Sequence, residues 1–464
     1  MVPKQTQFDN EAMTGTERRA VVSLAVVYSL RMLGFFMIVP VFMLYAPDLD
    51  GYSATLAGLA IGTYGLTQAL FQIPFGMLSD HIGRKPVIVG GLLIFALGSV
   101  VAASADSIHG VILGRALQGL GAIASAVMAL AADLTREEHR MKAMATIGVS
   151  IGLSFAVAMV FGPVVATWIG LGGIFWLTAA LALVGVALIA FVVPRPAVSR
   201  FHRDAEVEGS ALASVVKDTQ LLRLDIGILT LHAILTATFV AMPIALRDSA
   251  GLQVGHHWLV YLGAFVAAVA TMVPFIIVAE RKRRMKEVFV LAVAVLVIAE
   301  LGLSVLPHTV FVLAVLMWLF FAAFNLLEAS LPSLVSKMAA PQRRGTAMGV
   351  YSSSQFIGAF VGGGCGGLAL HHFGLHGVFA LCAALGALWL LAAATMRQPR
   401  YLTSRLLNVG AVDAGDAEAL SRQLLQVPGV AEAVVIAEEG VAYLKVDTRS
   451  LDREALSQFS LAES

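Results

Sequence analysis

Gly76-Met77-Leu78-Ser79-Asp80-His81-Ile82-Gly83-Arg84-Lys85 is a short charged turn between two apolar runs, 53–78 and 86–105. Runs of about twenty apolar residues are long enough for a helix to cross a hydrocarbon core about 30 Å thick. Inside lipid each backbone N–H and C=O needs a partner within its own segment, so such runs fold as helices. The turn therefore joins two membrane-spanning helices. Its Arg84 and Lys85 belong on the cytoplasmic side, where basic loop residues accumulate.

The same alternation continues outward in both directions. Apolar runs fall at 19–46, 53–78, 86–105, 109–133, 143–168, 173–193, 221–246, 256–280, 287–306, 309–337, 345–370 and 376–396. The 464-residue chain is 58% hydrophobic and 13% charged, against about 25% charged in a soluble globular domain. A water-soluble fold is excluded. The basic residues lie in alternate loops: Arg84 and Lys85; Arg136, Arg140 and Lys142; Arg195, Arg200, Arg203 and Lys217; Arg281, Lys282, Arg283, Arg284 and Lys286; Lys337, Arg343 and Arg344. The opposite loops hold one, Arg247, which places both termini in the cytoplasm and requires an even count of spans. The first run is too long for the apolar core of a signal peptide and no small-residue cleavage site follows it, so it reads as an uncleaved span. A net charge of +1 does not point to nucleic acid. Cys365 and Cys382 are the only cysteines and sit inside apolar runs, so neither a disulfide framework nor a cysteine metal site is expected.

A polar stretch, 195–220, with Pro194 and Pro196 at its start, divides the spans six and six, into bundles 17–194 and 221–396. The halves resemble each other. Pro74-Phe75 is followed by Asp80 and then Gly83-Arg84-Lys85, and Pro274-Phe275 by Glu280 and then Arg281-Lys282-Arg283-Arg284. The start of the fifth span, Ala145 to Val149 with Gly148, echoes that of the eleventh, Thr346 to Val350 with Gly349. Direct repeats imply two bundles related by a pseudo-twofold axis along the membrane normal, with a substrate site between them near midplane.

The opening decapeptide resembles the signature G-x-L-x-D-x-x-G-R-[RK] of the major facilitator superfamily, at that family's own location between the second and third spans. Arg115-Ala116-Leu117-Gln118-Gly119 in the fourth span resembles the R-x-x-Q-G motif of the same superfamily. Asp80 stands at the membrane edge, where a carboxylate suits the positive N-terminal end of a neighbouring helix. Arg84 can bridge it to a second acid, and Asp133 at the end of the fourth span is nearest in topology. The resemblance implies that Asp80, Arg84 and Asp133, with Gly76 and Gly83, form a latch against the start of the eleventh span (Gly345, Thr346) in the outward-open state. Gly162-Pro163 in the fifth span is similar to the antiporter motif of the drug/proton branch, but Ala158, Val165 and Ala166 stand where that motif has further glycines. A bend at Pro163 is expected.

Ionisable residues at membrane depth are costly and usually face a cavity or a partner. Arg31, Arg115, His232, Glu300 and Glu328 lie within spans one, four, seven, nine and ten. An apolar pocket favours the neutral form of a carboxylic acid, and imidazole titrates near neutral pH. Glu328 and His232 are therefore the expected proton-coupling groups, with Arg31 as the charge that tunes them; interhelical structural pairs are the competing reading. Asn325 lies one turn from Glu328, on the same helix face. Arg115, Gln118, Asn325 and Tyr64 are candidates for the substrate cavity, as are Gln68, Gln72 and Gln355. The outer-loop histidines His256, His257, His371, His372 and His376 are read as interfacial residues without a metal.

From about Arg397 the composition becomes that of a soluble chain. Residues 405–409 read as a strand, 417–427 as an amphipathic helix, 431–436 and 441–446 as a hairpin around Glu438-Glu439-Gly440, and 452–459 as a second helix. The order β-α-β-β-α is that of a ferredoxin-like domain over 400–464, with no final strand evident. The Gln-Val-Pro-Gly-Val-Ala run before the second strand resembles heavy-metal-associated domains, but their Cys-x-x-Cys is absent and no metal is assigned. A facilitator with this appendage resembles the bacterial YajR group of proton-driven antiporters.

The expected protein is thus an all-α membrane protein of twelve transmembrane helices in two six-helix bundles, with a small α+β domain at its C-terminus. It belongs in a bacterial cytoplasmic (inner) membrane and takes a small-molecule substrate, protons and surrounding lipid as partners, acting as a monomer without a cofactor. Proton-driven efflux by alternating access leads. A proton symporter or uniporter for a metabolite, or a membrane sensor with a C-terminal regulatory module, stays open. No nucleophile triad, H-E-x-x-H or phosphate loop is present, so no enzyme is expected.

Overall fold

A computed structural model of the chain describes residues 12–194, 209–339, 343–396, 403–410, 413–437, 440–447 and 450–459. Two compact units result, Met1–Met396 and Arg397–Ser464.

The first unit is helical. Its elements are α1 (Gly15–Met37), α2 (Phe42–Tyr45), α3 (Ala54–Ile82), α4 (Arg84–Ala103), α5 (Ile108–Leu120), α6 (Ala124–Asp133), α7 (Glu137–Ala187), α8 (Gly209–Lys217), α9 (Thr219–Ile244), α10 (His257–Arg281), α11 (Met285–Val305), α12 (Val310–Met338) and α13 (Arg344–Ala394). Among the described residues ten helices are long and apolar enough to cross a membrane, two of them 54 and 50 residues long. A helix of 54 residues would extend roughly 80 Å, more than twice the hydrocarbon thickness. Each of the two is broken by one glycine in a conformation closed to other residues: Gly170 (φ 65°, ψ −174°) in α7 and Gly374 (φ 66°, ψ −164°) in α13. Splitting both there gives twelve spans. The sequence suggests loops at 168–173 and 370–376; a single glycine turns the chain instead, because without a Cβ it reaches a backbone region that L side chains avoid.

The first and fourth spans are discontinuous. The first breaks over 38–41 between α1 and α2, around Pro40, which has no N–H to donate. The fourth breaks at 121–123 between α5 and α6. The polar stretch 195–220 is not all loop: 195–208 lie outside the described residues, while 209–217 form α8 and Asp218 caps α9 by accepting from the backbone of Gln220 at 2.9 Å.

The two bundles meet along α3 and the first limb of α13 through glycines. A Cβ added to Gly62 would lie 2.7 Å from the Phe360 carbonyl oxygen, and one on Gly58 2.8 Å from Gly367 Cα. Backbone thus packs on backbone, as small residues permit in lipid. Beside this seam the Phe155 ring of α7 stands 6.3 Å from Phe265 of α10, and Arg247 donates to the Leu44 carbonyl at 3.3 Å. The Gly58 and Arg247 contacts lie toward the helix ends away from the Asp80–Arg84 turn. Toward that turn Gln72 donates to Ser353 Oγ at 2.8 Å.

The second unit holds β1 (Thr403–Asn408), α14 (Ala414–Leu424), β2 (Val430–Ile436), β3 (Val441–Val446) and α15 (Arg453–Ser457). Both other strands run antiparallel to β3, in the order β1-β3-β2. This is the split β-α-β arrangement of a ferredoxin-like fold. Leu424, Val427, Ala442, Leu444, Val446 and Leu456 form its core, and the cross-strand pair Glu432–Lys445 closes at 2.9 Å. The first strand and helix start two and three residues earlier than the sequence suggests. Of the hairpin tip, Glu438 and Glu439 lie outside the described residues.

Candidate functional site

The charged turn is built by the end of α3 and the start of α4. Gly83, at φ 98°, turns the chain between them. Gly76 lets α3 approach α6, since a Cβ there would stand 3.1 Å from Ser125 Cβ. Asp80 lies in the last turn of α3, where the helix dipole disfavours a negative charge. Arg84 offsets this. Its guanidinium pairs with Asp80 one turn back, donates to Ser79 Oγ at 2.8 Å, and places Nε 3.5 Å from Asp133 Oδ2. All three charged side chains are nearly or wholly buried. Lys85 donates to the Val193 carbonyl at 2.5 Å, fixing the end of the sixth span. Asp80, Arg84 and Asp133 are thus one cluster, and Thr346 at the start of α13 is buried.

A second cluster fills the N-terminal bundle. Arg31 is fully buried and donates to Gln68 Oε1 at 2.8 Å and to the Gly121 carbonyl at 3.1 Å. The break between α5 and α6 removes an intrahelical partner from that carbonyl, and Arg31 supplies the replacement. Arg115 donates to Gln118 Oε1 at 2.8 Å and to the Ala60 and Ile61 carbonyls of α3 at 3.4 and 3.3 Å. Tyr64 lies between the two cations, its ring centre 5.8 Å from Arg31 Cζ and 5.1 Å from Arg115 Cζ, and stacks on Phe35 at 4.1 Å. Cation–π attraction is strongest when desolvated, about 2 kcal/mol.

Two expectations change here. Arg115 and Gln118 do not line an open cavity: Gln118 is fully buried and donates to Ser99 Oγ of α4 at 2.8 Å, so both tie α5 to its neighbours. Arg31 spends its hydrogen bonds inside the N-terminal bundle, on Gln68 and Gly121, and not on Glu328 or His232. Tyr64 is likewise fully buried.

The third cluster is in the C-terminal bundle. His232 of α9, Glu328 of α12 and Gln355 of α13 converge. Gln355 Nε2 lies 3.1 Å from Glu328 Oε1 and 2.8 Å from His232 Nε2, while Glu328 Oε2 is 3.8 Å from His232 Nε2. One amide nitrogen with two hydrogens serves both groups. The Glu328 side chain is 37% exposed although it stands well inside a membrane span, and that of His232 13%. Asn325 is half-buried one turn away, and its Nδ2 has no hydrogen-bond partner. Glu300 is elsewhere, fully buried, 2.7 Å from Thr238 Oγ1. Among the histidines His308 and His376 stack at 4.7 Å and engage the Leu303 and Ser304 carbonyls at the end of α11, each at 2.7 Å. No group of three potential metal ligands occurs among the described residues.

The major facilitator superfamily profile matches residues 24–277 and again 224–422. The chain belongs to the major facilitator superfamily. A second profile, the YajR YAM domain, matches 411–460. The inner membrane transport protein YajR of Escherichia coli strain K12 is 50% identical over 446 residues, 96% of this chain and 98% of that one. The multidrug resistance protein MdtH of Aeromonas hydrophila is 28% identical over 74% of this chain and 85% of its own. Among solved facilitator structures, a bacterial homologue of the human lysosomal transporter Spinster, in an inward-facing and occupied conformation, superposes with a TM-score of 0.66 at 14% identity. It covers 82% of this chain and 96% of its own. The protein is an integral membrane transporter of the facilitator fold, in a bacterial inner membrane.

Sequence reasoning did not single out Asp225 and Tyr351, which are both buried near the third cluster. Asp225 reads in the sequence as part of the polar start of the seventh span, after Asp218 and Arg223. Its depth, six residues into α9, is the signal that would have found it.

Proposed function

We propose that this facilitator is a proton-driven exporter of small organic molecules that works by alternating access, with both termini in the cytoplasm. The observation that carries the reading is the Glu328–Gln355–His232 cluster: an acid and an imidazole, joined by one amide, on three helices of one bundle, with the acid open to solvent-sized space. A coupled carrier needs a group whose protonation depends on which way its cavity faces, because only a ligand with different affinity for the two states shifts them. A relative named for multidrug resistance supports export over import. Asp80, Arg84 and Asp133 serve as the latch that holds one of the two states, docking against the start of α13.

The test uses a pump-deficient host, a panel of cationic dyes and antibiotics, and a protonophore control. Glu328→Gln mimics the protonated acid and is expected to keep downhill exchange while losing gradient-driven expulsion. His232→Gln is run beside it. Full gradient-driven transport in Glu328→Gln, with loss in His232→Gln, would assign the proton to the histidine. Asp80→Asn is expected to abolish transport at near-normal expression.

A further inference from the structure

We propose that the groove between α10 and α11, where the chain turns from Arg281 to Arg284, binds an anionic phospholipid. Its phosphate lies at Arg281 and Arg284, and the first part of one acyl chain follows the groove. The groove has a volume of about 310 Å³. Pro274, Phe275 and Val278 form its α10 wall and Val288 and Leu291 its α11 wall, with Arg284 and Glu287 at the mouth.

Helical spacing builds both walls. Pro274, Val278 and Arg281 fall on one face of α10 at steps of four and three, and Arg284, Val288 and Leu291 on one face of α11 at the same steps. From the turn the groove runs toward the membrane interior. Pro274 and Arg281 are seven residues apart, about 10 Å of helix, which is the depth of the chain segment next to a headgroup. Five cations stand within six residues here: Arg281, Lys282, Arg283, Arg284 and Lys286. Arg281 and Arg284 are exposed, and among the described residues neither side chain makes an ion pair or hydrogen bond. The acids beside them are Glu280, held by Lys337 at 3.0 Å, and Glu287. The matching turn of the N-terminal bundle differs, because its charges are spent on protein: Arg84 on Asp80 and Asp133, and Lys85 on the Val193 carbonyl.

This pairing of charge with an apolar groove selects the ligand. A soluble phosphate would meet the cations and leave the groove without an occupant. A zwitterionic lipid would fill the groove but bring its own cation toward Arg281 and Arg284. A lipid whose headgroup is net negative satisfies both parts, as basic pockets between transmembrane helices do for such headgroups. No side chain caps the first turn of α11, so its N-terminal dipole adds to the attraction for an anion. Glu287 at the mouth opposes it and weakens the binding.

The test needs no transport substrate and does not depend on the transport reading. A benzophenone amino acid replaces Phe275 in the full chain, which is reconstituted in liposomes of equal phosphatidylglycerol and phosphatidylcholine with identical acyl chains. After irradiation, mass spectrometry identifies the lipid attached. Phosphatidylglycerol is expected to exceed phosphatidylcholine on the order of tenfold or more, falling roughly fivefold with each of Arg281→Gln and Arg284→Gln, the effect of one cation on an anionic headgroup. Glu287→Gln is expected to raise the excess. The same probe at Leu97, exposed on α4 and thirteen residues beyond Arg84, is expected to capture the two lipids equally. Equal capture at Phe275, or an excess that survives both arginine substitutions, would overturn the proposal. Excess glycerol phosphate, a headgroup without chains, should leave the adduct unchanged; displacement by it would make the site one for soluble phosphate and overturn the lipid.

Discussion

Gly83 and Arg283 occupy equivalent turns of the two bundles, at φ 98° and φ 55°. A side chain in that left-handed region costs about 1–2 kcal/mol. Gly83→Ala should therefore lower stability by about that amount, and Arg283→Gly should raise it, both read as thermal unfolding midpoints in detergent. An equal shift of the same sign in both would exclude backbone strain as the cause. The neighbouring acids are also equivalent, yet Asp80 meets Arg84 whereas Glu280 meets Lys337 at 3.0 Å. At this scale the sequence disclosed Arg31, Arg115, His232, Glu300 and Glu328 as ionisable groups within the spans, because a charge in lipid is costly enough to stand out. It did not disclose partners. Arg31 finds Gln68 and Gly121, 37 and 90 residues away, and only packing decides such pairs. Asp80, Arg84 and Asp133 were legible together only because a short motif and one hairpin fix their depth.

Helices show the same division. Their number and order follow from apolar run length, since lipid leaves no other backbone solution. Their breaks do not. Pro40 marks the gap after α1, but nothing comparable marks 121–123, where the fourth span opens and offers Arg31 a carbonyl. The glycines of α3 and α13 serve closeness: a Cβ on Gly363 would lie 2.9 Å from Gly62 N. Gly363→Val should hold α3 and α13 apart on the side away from the charged turns. With Cys365 replaced by serine, a cysteine at Thr55, beside Gly367, should then react faster with an impermeant maleimide added from outside. An unchanged rate would mean that this seam does not close that side. The same reasoning explains Gly162, whose added Cβ would stand 2.7 Å from the Met37 carbonyl. It serves the break in the first span before it serves any antiport motif.

For the whole molecule, the pseudo-twofold repeat is carried by Gly170 and Gly374, which turn the chain at matching places in the two bundles. Orientation is a separate matter, since nothing in helix packing distinguishes the two faces of a bilayer; it rests on Lys and Arg. Cysteines at Asp106 and Ser249 should accordingly react from outside intact cells, and one at Ala205 should not. The C-terminal unit poses the larger question. Its apolar core of Leu424, Val427, Ala442, Leu444, Val446 and Leu456 is built from its own residues. A domain of about sixty residues is nevertheless marginal by itself, and its retention argues for a regulatory part. Deleting residues 397–464 should leave a chain that inserts and folds, with maximal proton-driven efflux within about twofold of the full chain. Its dependence on internal pH or substrate load should differ. Abundance on a membrane blot and dye efflux at several internal pH values would separate these effects. Complete loss of efflux at normal abundance would make the unit part of the transport cycle. Unchanged efflux at every pH and load would remove any role for it in transport and favour a sensor.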